Sequence, residues 1–212
     1  MKAVLPVLYY VHDPMCSWCW GFRPVWSRVQ QALSGKVSIQ YVLGGLAVDT
    51  DQVMPESMQH TICETWKNIQ HEIPGTEFNY DFWSQCTPRR STYPACRAVI
   101  ACRMQQPESE HDMLLAIQQA YYLQAKNPSD LEVLKALADK IGLDTLQFIE
   151  DINSESCQSS LLEEIIFSRE LGVYSFPSLV LDAHPGQDES LGTININYND
   201  SKEIVEQIIQ QI

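Results

Sequence analysis

No run of this 212-residue chain approaches the roughly twenty consecutive apolar positions that a membrane-crossing helix requires. Positive charge is scarce as well: 14 Lys and Arg stand against 27 Asp and Glu, a formal net charge of −13. A surface of that sign repels phosphate backbones and argues against a nucleic-acid partner. Solubility is its ordinary consequence. Internal repeats and low-complexity stretches are missing, which excludes repeat architectures and compositionally driven disorder. A zinc site built on paired cysteines would need a second CxxC or an HxxxH, and neither occurs, so neither a metal nor an organic cofactor is expected. Met1 to Val11 carries one basic residue and no small-residue cleavage site before Cys16. A secretory signal peptide is therefore not expected, and a cytoplasmic location is.

Cysteine is not scarce, but its count is odd. Seven cysteines cannot all pair within one chain, and a reducing compartment keeps most of them as thiols. Cys96 and Cys102 read as core residues on one helix, and Cys157 falls on an apolar stripe with Leu161 and Ile165. Cys63 and Cys86 carry no functional argument. Cys16-Ser17-Trp18-Cys19 is different. It lies where a short apolar strand gives way to a helix, so the two sulfurs fall on one helical turn, within disulfide reach. The helix start offers unpaired N–H groups and the positive end of its dipole, which favour a thiolate at Cys16. Cys16 is expected to attack a partner's sulfur, and Cys19, one turn inward, to resolve the mixed disulfide. Trp18 adds apolar surface beside them. His12 and Asp13, just upstream, are candidates for moving a proton to Cys19, or else ordinary buried residues at a strand end.

A hydrophobic content of 45% with 19% charged residues suits one sizeable globular domain or a small one carrying an insertion. Leu5 to Val11 reads as a buried strand, Ser17 to Leu33 as a helix containing Pro24, and Lys36 to Leu43 as a second strand closed by Gly44-Gly45. That is a right-handed parallel βαβ unit. Beyond Thr50 the pattern is helical for about 120 residues. The candidates are Arg97 to Met104, His111 to Gln124, Ser129 to Ile141 with a capping box at Ser129, and Glu155 to Leu171. Short strands at Ser178 to Asp182 and Thr193 to Tyr198, joined by a turn around Pro185-Gly186, precede a final amphipathic helix from Ser201 to Ile212. Gly172-Val173-Tyr174-Ser175-Phe176-Pro177 leads directly into the first of these strands. A cis proline there would hold the Phe176 backbone open to an extended peptide beside Cys16.

Taken together, the CxxC on the first helix, the proline five residues after it and the late proline before a strand pair resemble the thioredoxin superfamily. Helices between the βαβ and ββα halves narrow the resemblance to its DsbA-like branch. Asp13-Pro14-Met15-Cys16-Ser17-Trp18-Cys19-Trp20-Gly21 and Ser91-Thr92-Tyr93-Pro94-Ala95-Cys96-Arg97-Ala98 are similar to segments of the bacterial FrnE-like members. The resemblance implies an α/β thioredoxin fold with an inserted α-helical domain. Residues 1–52 and 172–212 would form the discontinuous thioredoxin-like domain and residues 53–171 the insertion. It also implies thiol–disulfide oxidoreductase or isomerase activity with Cys16 and Cys19 as the redox pair and Pro177 as the cis proline. Trp18, Phe176 and Pro177 are the expected substrate-binding residues. Ser17-Trp18 stands where periplasmic DsbA has Pro-His, so that protein's strong oxidant character is not implied, and Phe176 is bulkier than the usual Val or Thr. The expected partners are protein or small thiols and disulfides, glutathione among them. Two alternatives stand beside this reading. One is a redox-sensitive adaptor on the same fold; the other is a kappa-type glutathione transferase, whose motif typically begins with serine where this chain has Cys16.

Overall fold

A computed structural model describes residues 4–187 and 191–212. Part of the expected turn between the last two strands, and Met1 to Ala3, lie outside the described residues. Strands β1 (Val7–His12), β2 (Ser38–Leu43), β3 (Ser178–Asp182) and β4 (Gly192–Ile194) form one sheet in the order β2-β1-β3-β4. β1 pairs parallel with β2, Tyr10 opposite Tyr41, and antiparallel with β3, Val11 opposite Ser178. β3 pairs antiparallel with β4. This is the βαβ and ββα arrangement expected from the sequence.

Strand alternation sorts side chains to two faces. Leu8, Tyr10, Leu179 and Leu181 share one buried cluster with Phe22, Trp26 and Val29 of helix α1 (Ser17–Leu33) and Ile204 and Ile208 of helix α9 (Ser201–Ile209). Val11, Val42 and Val180 turn the other way and meet Val173 and Phe167. β1 is thus buried on both faces, and its C-terminal end delivers the CxxC to the sheet's edge.

Seven helices lie between β2 and β3: α2 (Glu56–Glu72), α3 (Phe82–Gln85), α4 (Tyr93–Gln105), α5 (Glu110–Leu123), α6 (Leu131–Lys140), α7 (Thr145–Ile152) and α8 (Glu155–Glu170). α4 is the central one. Ala95, Cys96, Ala98, Val99, Ile100, Ala101 and Cys102 are all buried, so both cysteines pack in the core. Cys157 is buried with Leu161, whereas Cys63 and Cys86 are half-buried. Trp66 of α2 is fully buried, its ring 4.8 Å from Phe78 and 4.9 Å from Trp83, with Tyr121 and Tyr122 packed edge-on.

Several boundaries differ from the sequence expectation for local reasons. β2 starts at Ser38 because the Lys36 and Val37 amides turn back to the Leu33 carbonyl. β1 starts after Pro6, which has no N–H for the ladder. β4 ends at Ile194: the Asn195 amide donates to Gln207, and the Asn197 side chain accepts from the Asn199 and Asp200 amides, so these asparagines build a turn. The expected capping box at Ser129 is not formed. Ser129 Oγ donates to the Ser91 carbonyl and Asp130 pairs with Arg89, tying α6 to the segment ahead of α4 instead. Helices α2, α3 and α7 fall within the stretch read as helical but are not among the helices singled out from the sequence. α2 follows Pro55 without a side-chain cap and buries only Trp66 and Ile69, whereas α7 is capped by Asp144.

Deleting the Trp66 side chain leaves a cavity among six aromatic rings, so Trp66→Ala is expected to cost about 3–5 kcal/mol. Urea unfolding checks this, and a loss below about 1 kcal/mol would show that the neighbours collapse into the space.

Candidate active site

The βα turn that carries the CxxC is built around one buried carboxylate. Asp13 Oδ1 accepts the Met15 amide at 2.8 Å. Its Oδ2 accepts the Leu46 amide at 2.7 Å, the Thr92 hydroxyl at 2.7 Å and the Cys96 thiol at 3.5 Å. The turn, the loop after β2 and the start of α4 therefore converge on a single side chain. Burial pushes the Asp13 carboxyl above its usual range, while those four donors pull it back down. Both oxygens are occupied by structural donors.

Cys16 is the N-cap of α1, with extended backbone, and its carbonyl accepts the Trp20 amide at 3.1 Å to begin the helix. The first-turn amides, which have no intrahelical partner, lie at that end of α1. Among the described residues no acidic side chain occupies the first turn to compete for them. The Cys16 thiol donates to the Phe176 carbonyl at 3.4 Å across 160 positions of sequence. Cys19 is buried one turn deeper. Burial first, then hydrogen bonding to Cys16 and the nearness of the Cys16 and Asp13 charges, push the Cys19 thiol far above its ordinary range. Ser17, between them, accepts the Trp66 indole N–H at 2.9 Å, which links the motif to the helical core.

The Phe176-Pro177 peptide bond is cis. Two residues, Gly44 after β2 and Arg169 on α8, fix the Phe176 ring beside Cys16. A Cβ on Gly44 would stand 1.9 Å from the ring, so only glycine admits it there. Arg169, on α8, covers the same segment, with its guanidinium 5.7 Å from the Phe176 centroid and 5.3 Å from that of Tyr174. It also donates to the Val173 carbonyl and, at 3.3 Å, to that of Gly44.

A cleft of about 540 Å³ opens beside the Cys16 thiol. Trp18 and Phe176 line it together with Met58, Tyr174 and Arg90, so the structure brings Cys16, Trp18 and Phe176 to one cleft. Trp18 is half-buried, packs against the helical core and has its ring 5.1 Å from that of Tyr198. Among the described residues no cluster of His, Cys, Asp and Glu could hold a metal ion.

His12 is buried and, among the described residues, neither ring nitrogen has a hydrogen-bond partner. It stacks on Tyr10 at 5.1 Å and meets Tyr41 edge-on at 5.3 Å. Burial, with the charges of His111 and Arg103, pushes its pKa down to about 3. The ring is held as a neutral aromatic. Sequence reasoning missed Thr92, Gly44, Arg169 and Arg90. The Gly44-Gly45 pair marks the end of β2 in the sequence, and no local signal there announces a ring across the sheet.

A thioredoxin family model matches residues 9–207. The ClpXP adapter protein SpxH of Bacillus subtilis is 24% identical over 185 residues, covering 87% of this chain and 60% of that protein. The chain spans about three-fifths of the length of the curated relatives it matches. A Nitrosomonas europaea structure whose description proposes a protein disulfide isomerase superposes with a TM-score of 0.81 at 27% identity, over 97% of this chain and 96% of that one. The cytosolic disulfide reductase DsbM of Pseudomonas aeruginosa, also solved with GSH, superposes with a TM-score of 0.70. It is 21% identical, over 97% of this chain and 94% of that one. These likenesses bear out the thioredoxin fold with inserted helices and the DsbA-like resemblance.

Two measurements probe this geometry. Gly44→Ala drives a methyl group into the Phe176 ring and is expected to destabilise by about 1–3 kcal/mol, with part of the loss recovered by adding Phe176→Leu. Additive effects of the two substitutions in urea unfolding would refute the contact. His12 binds a proton more readily in the unfolded chain, where its pKa is about 6.5, than in the fold. Its contribution to stability is complete above that value and is lost as pH falls towards 3. By pH 5 the loss is about 2 kcal/mol. The wild type should therefore lose more stability than His12→Phe between pH 7 and pH 5, and parallel losses would contradict the assignment.

Proposed function

This chain belongs to the thioredoxin family, and from that premise we propose that it is a dithiol–disulfide oxidoreductase or isomerase acting on protein thiols in the cytoplasm. The observation that supports this most directly is the placement of the two sulfurs. Cys16 sits at the N-terminus of α1 lining a cleft, and Cys19 is buried one helical turn behind it, near enough that Cys16 helps to raise its pKa. In the reductive direction the Cys16 thiolate attacks one sulfur of a substrate disulfide. A Cys16–substrate disulfide forms, and the other substrate sulfur leaves and takes up a proton. Cys19 then gives up its proton and attacks Cys16 Sγ. The second substrate thiol is released and the Cys16–Cys19 disulfide forms, two electrons having passed to the substrate. The reverse sequence oxidises a dithiol.

In this reading Trp18, Phe176 and Pro177 receive the substrate. The Phe176 carbonyl, which accepts the Cys16 thiol in the free protein, faces the segment that an extended peptide would occupy. The thioredoxin-like part is residues 1–52 and 172–212, and residues 53–171 are the helical insertion. The name of DsbM supports a cytoplasmic location, and its GSH complex supports glutathione as a small-thiol partner.

A second reading has its own support: the Bacillus subtilis relative and its counterpart in Halalkalibacterium halodurans, 23% identical, are named ClpXP adapter proteins. An adaptor presents a bound protein to a protease and has no need of a resolving thiol. Insulin reduction with dithiothreitol separates the two. Exchange predicts turnover by the wild type, a fall to the uncatalysed rate in Cys16→Ala, and a trapped mixed disulfide in Cys19→Ala. Equal rates for the wild type and Cys16→Ala would leave the adaptor reading standing.

A further inference from the structure

Among the side chains lining the cleft beside Cys16, Arg90 is the single charged one. The rest are apolar or carry hydroxyl or thiol groups, and the chain as a whole has a net charge of −13. The cleft is thus a local reversal of the molecule's sign, with no carboxylate in its walls to neutralise the guanidinium.

Arg90 is also unengaged where its neighbours are not. Arg89, the preceding residue, donates to the Ser129 carbonyl and pairs with Asp130. Arg97 pairs with Asp49, Arg103 with Glu110 and Glu164, and Arg169 with two carbonyls. No hydrogen bond or ion pair among the described residues holds Arg90, although it is half-buried. Its guanidinium therefore offers uncommitted forked N–H donors suited to a carboxylate. Its volume of about 540 Å³ places the cleft in the size class of small-molecule sites.

We infer that Arg90 selects carboxylate-bearing disulfides for exchange at Cys16, binding the substrate's carboxylate while Cys16 attacks its sulfur. This rests on the exchange reading above and adds a substrate class to it. The neutral walls hold the body of the substrate, and the guanidinium fixes its charged end. The reaction is the one already written, with the carboxylate unchanged throughout.

The test measures oxidation of the reduced protein by three small disulfides: anionic glutathione disulfide, neutral hydroxyethyl disulfide and cationic cystamine. Each rate constant is divided by that disulfide's rate with dithiothreitol to remove intrinsic reactivity. A peptide disulfide flanked by aspartates forms a fourth arm that distinguishes a small thiol from a protein segment as the source of the carboxylate. The wild type is expected to favour the anionic over the neutral disulfide about tenfold, the equivalent of roughly 1.4 kcal/mol. Arg90→Gln should abolish that ratio, Arg90→Glu should invert it towards cystamine, and Arg90→Lys should keep part of it. Urea midpoints check that each variant is folded. The same ranking in the wild type and Arg90→Gln would overturn the inference and leave exchange intact. If none of the four disulfides oxidises Cys16, the exchange reading fails and takes this one with it.

Discussion

The arrangement of the site depends on one carboxylate buried where three chain segments meet. Among the described residues Asp13 has no cationic partner; its donors are two backbone amides, a hydroxyl and a thiol. A buried charge is tolerable only when its lone pairs are filled, and here four donors fill them. Leaving any one segment out would strand the others' donors. The turn that presents Cys16, the loop after β2 and the first turn of α4 are therefore interdependent. The helical insertion is attached to the sheet at the root of the CxxC.

From that root the two cysteines enter opposite environments. Cys16 stands at the N-terminus of a 17-residue helix without a side-chain capping hydrogen bond, and its thiol donates to the Phe176 carbonyl. Cys19 has burial and nearby negative charge, both of which hold its proton. Both cysteines are buried, but of the two only Cys16 lines the cleft, which suits sequential attack by one sulfur and resolution by a protonated one behind it. The late loop completes the asymmetry. Arg169 and Gly44 act from two elements to hold Phe176, so a residue 160 positions from Cys16 keeps its carbonyl on the thiol.

The parts of this that were legible in the sequence are those written in local chemistry. Helix Ser17–Leu33 and strand Ser178–Asp182 match the structure because a periodic apolar pattern, a CxxC and a proline mark their bounds. The parallel βαβ unit followed from the strand–helix–strand pattern of residues 5–43. What was not legible is non-local. Ser129 has the spacing of a capping residue and is diverted to a carbonyl 38 positions away. The roles of Thr92 and Arg169 lie in contacts with residues far off in sequence, and α2 conceals itself by burying only two residues. Cys96 was correctly placed in the core, but nothing local revealed that its thiol reaches Asp13.

Burial also decides which titratable groups near the site take part in its chemistry. His12 directly precedes Asp13 and would pass for a proton carrier by residue type. Held with orphaned nitrogens against Tyr10 and Tyr41, and with a pKa near 3, it would have to acquire a charge that its surroundings cannot solvate. Asp13 is raised by burial but has both oxygens committed to structural donors. In the proposed exchange, the proton that Cys19 gives up as it attacks Cys16 Sγ would pass to the sulfur leaving in that same step or to water, and not to either of these neighbours.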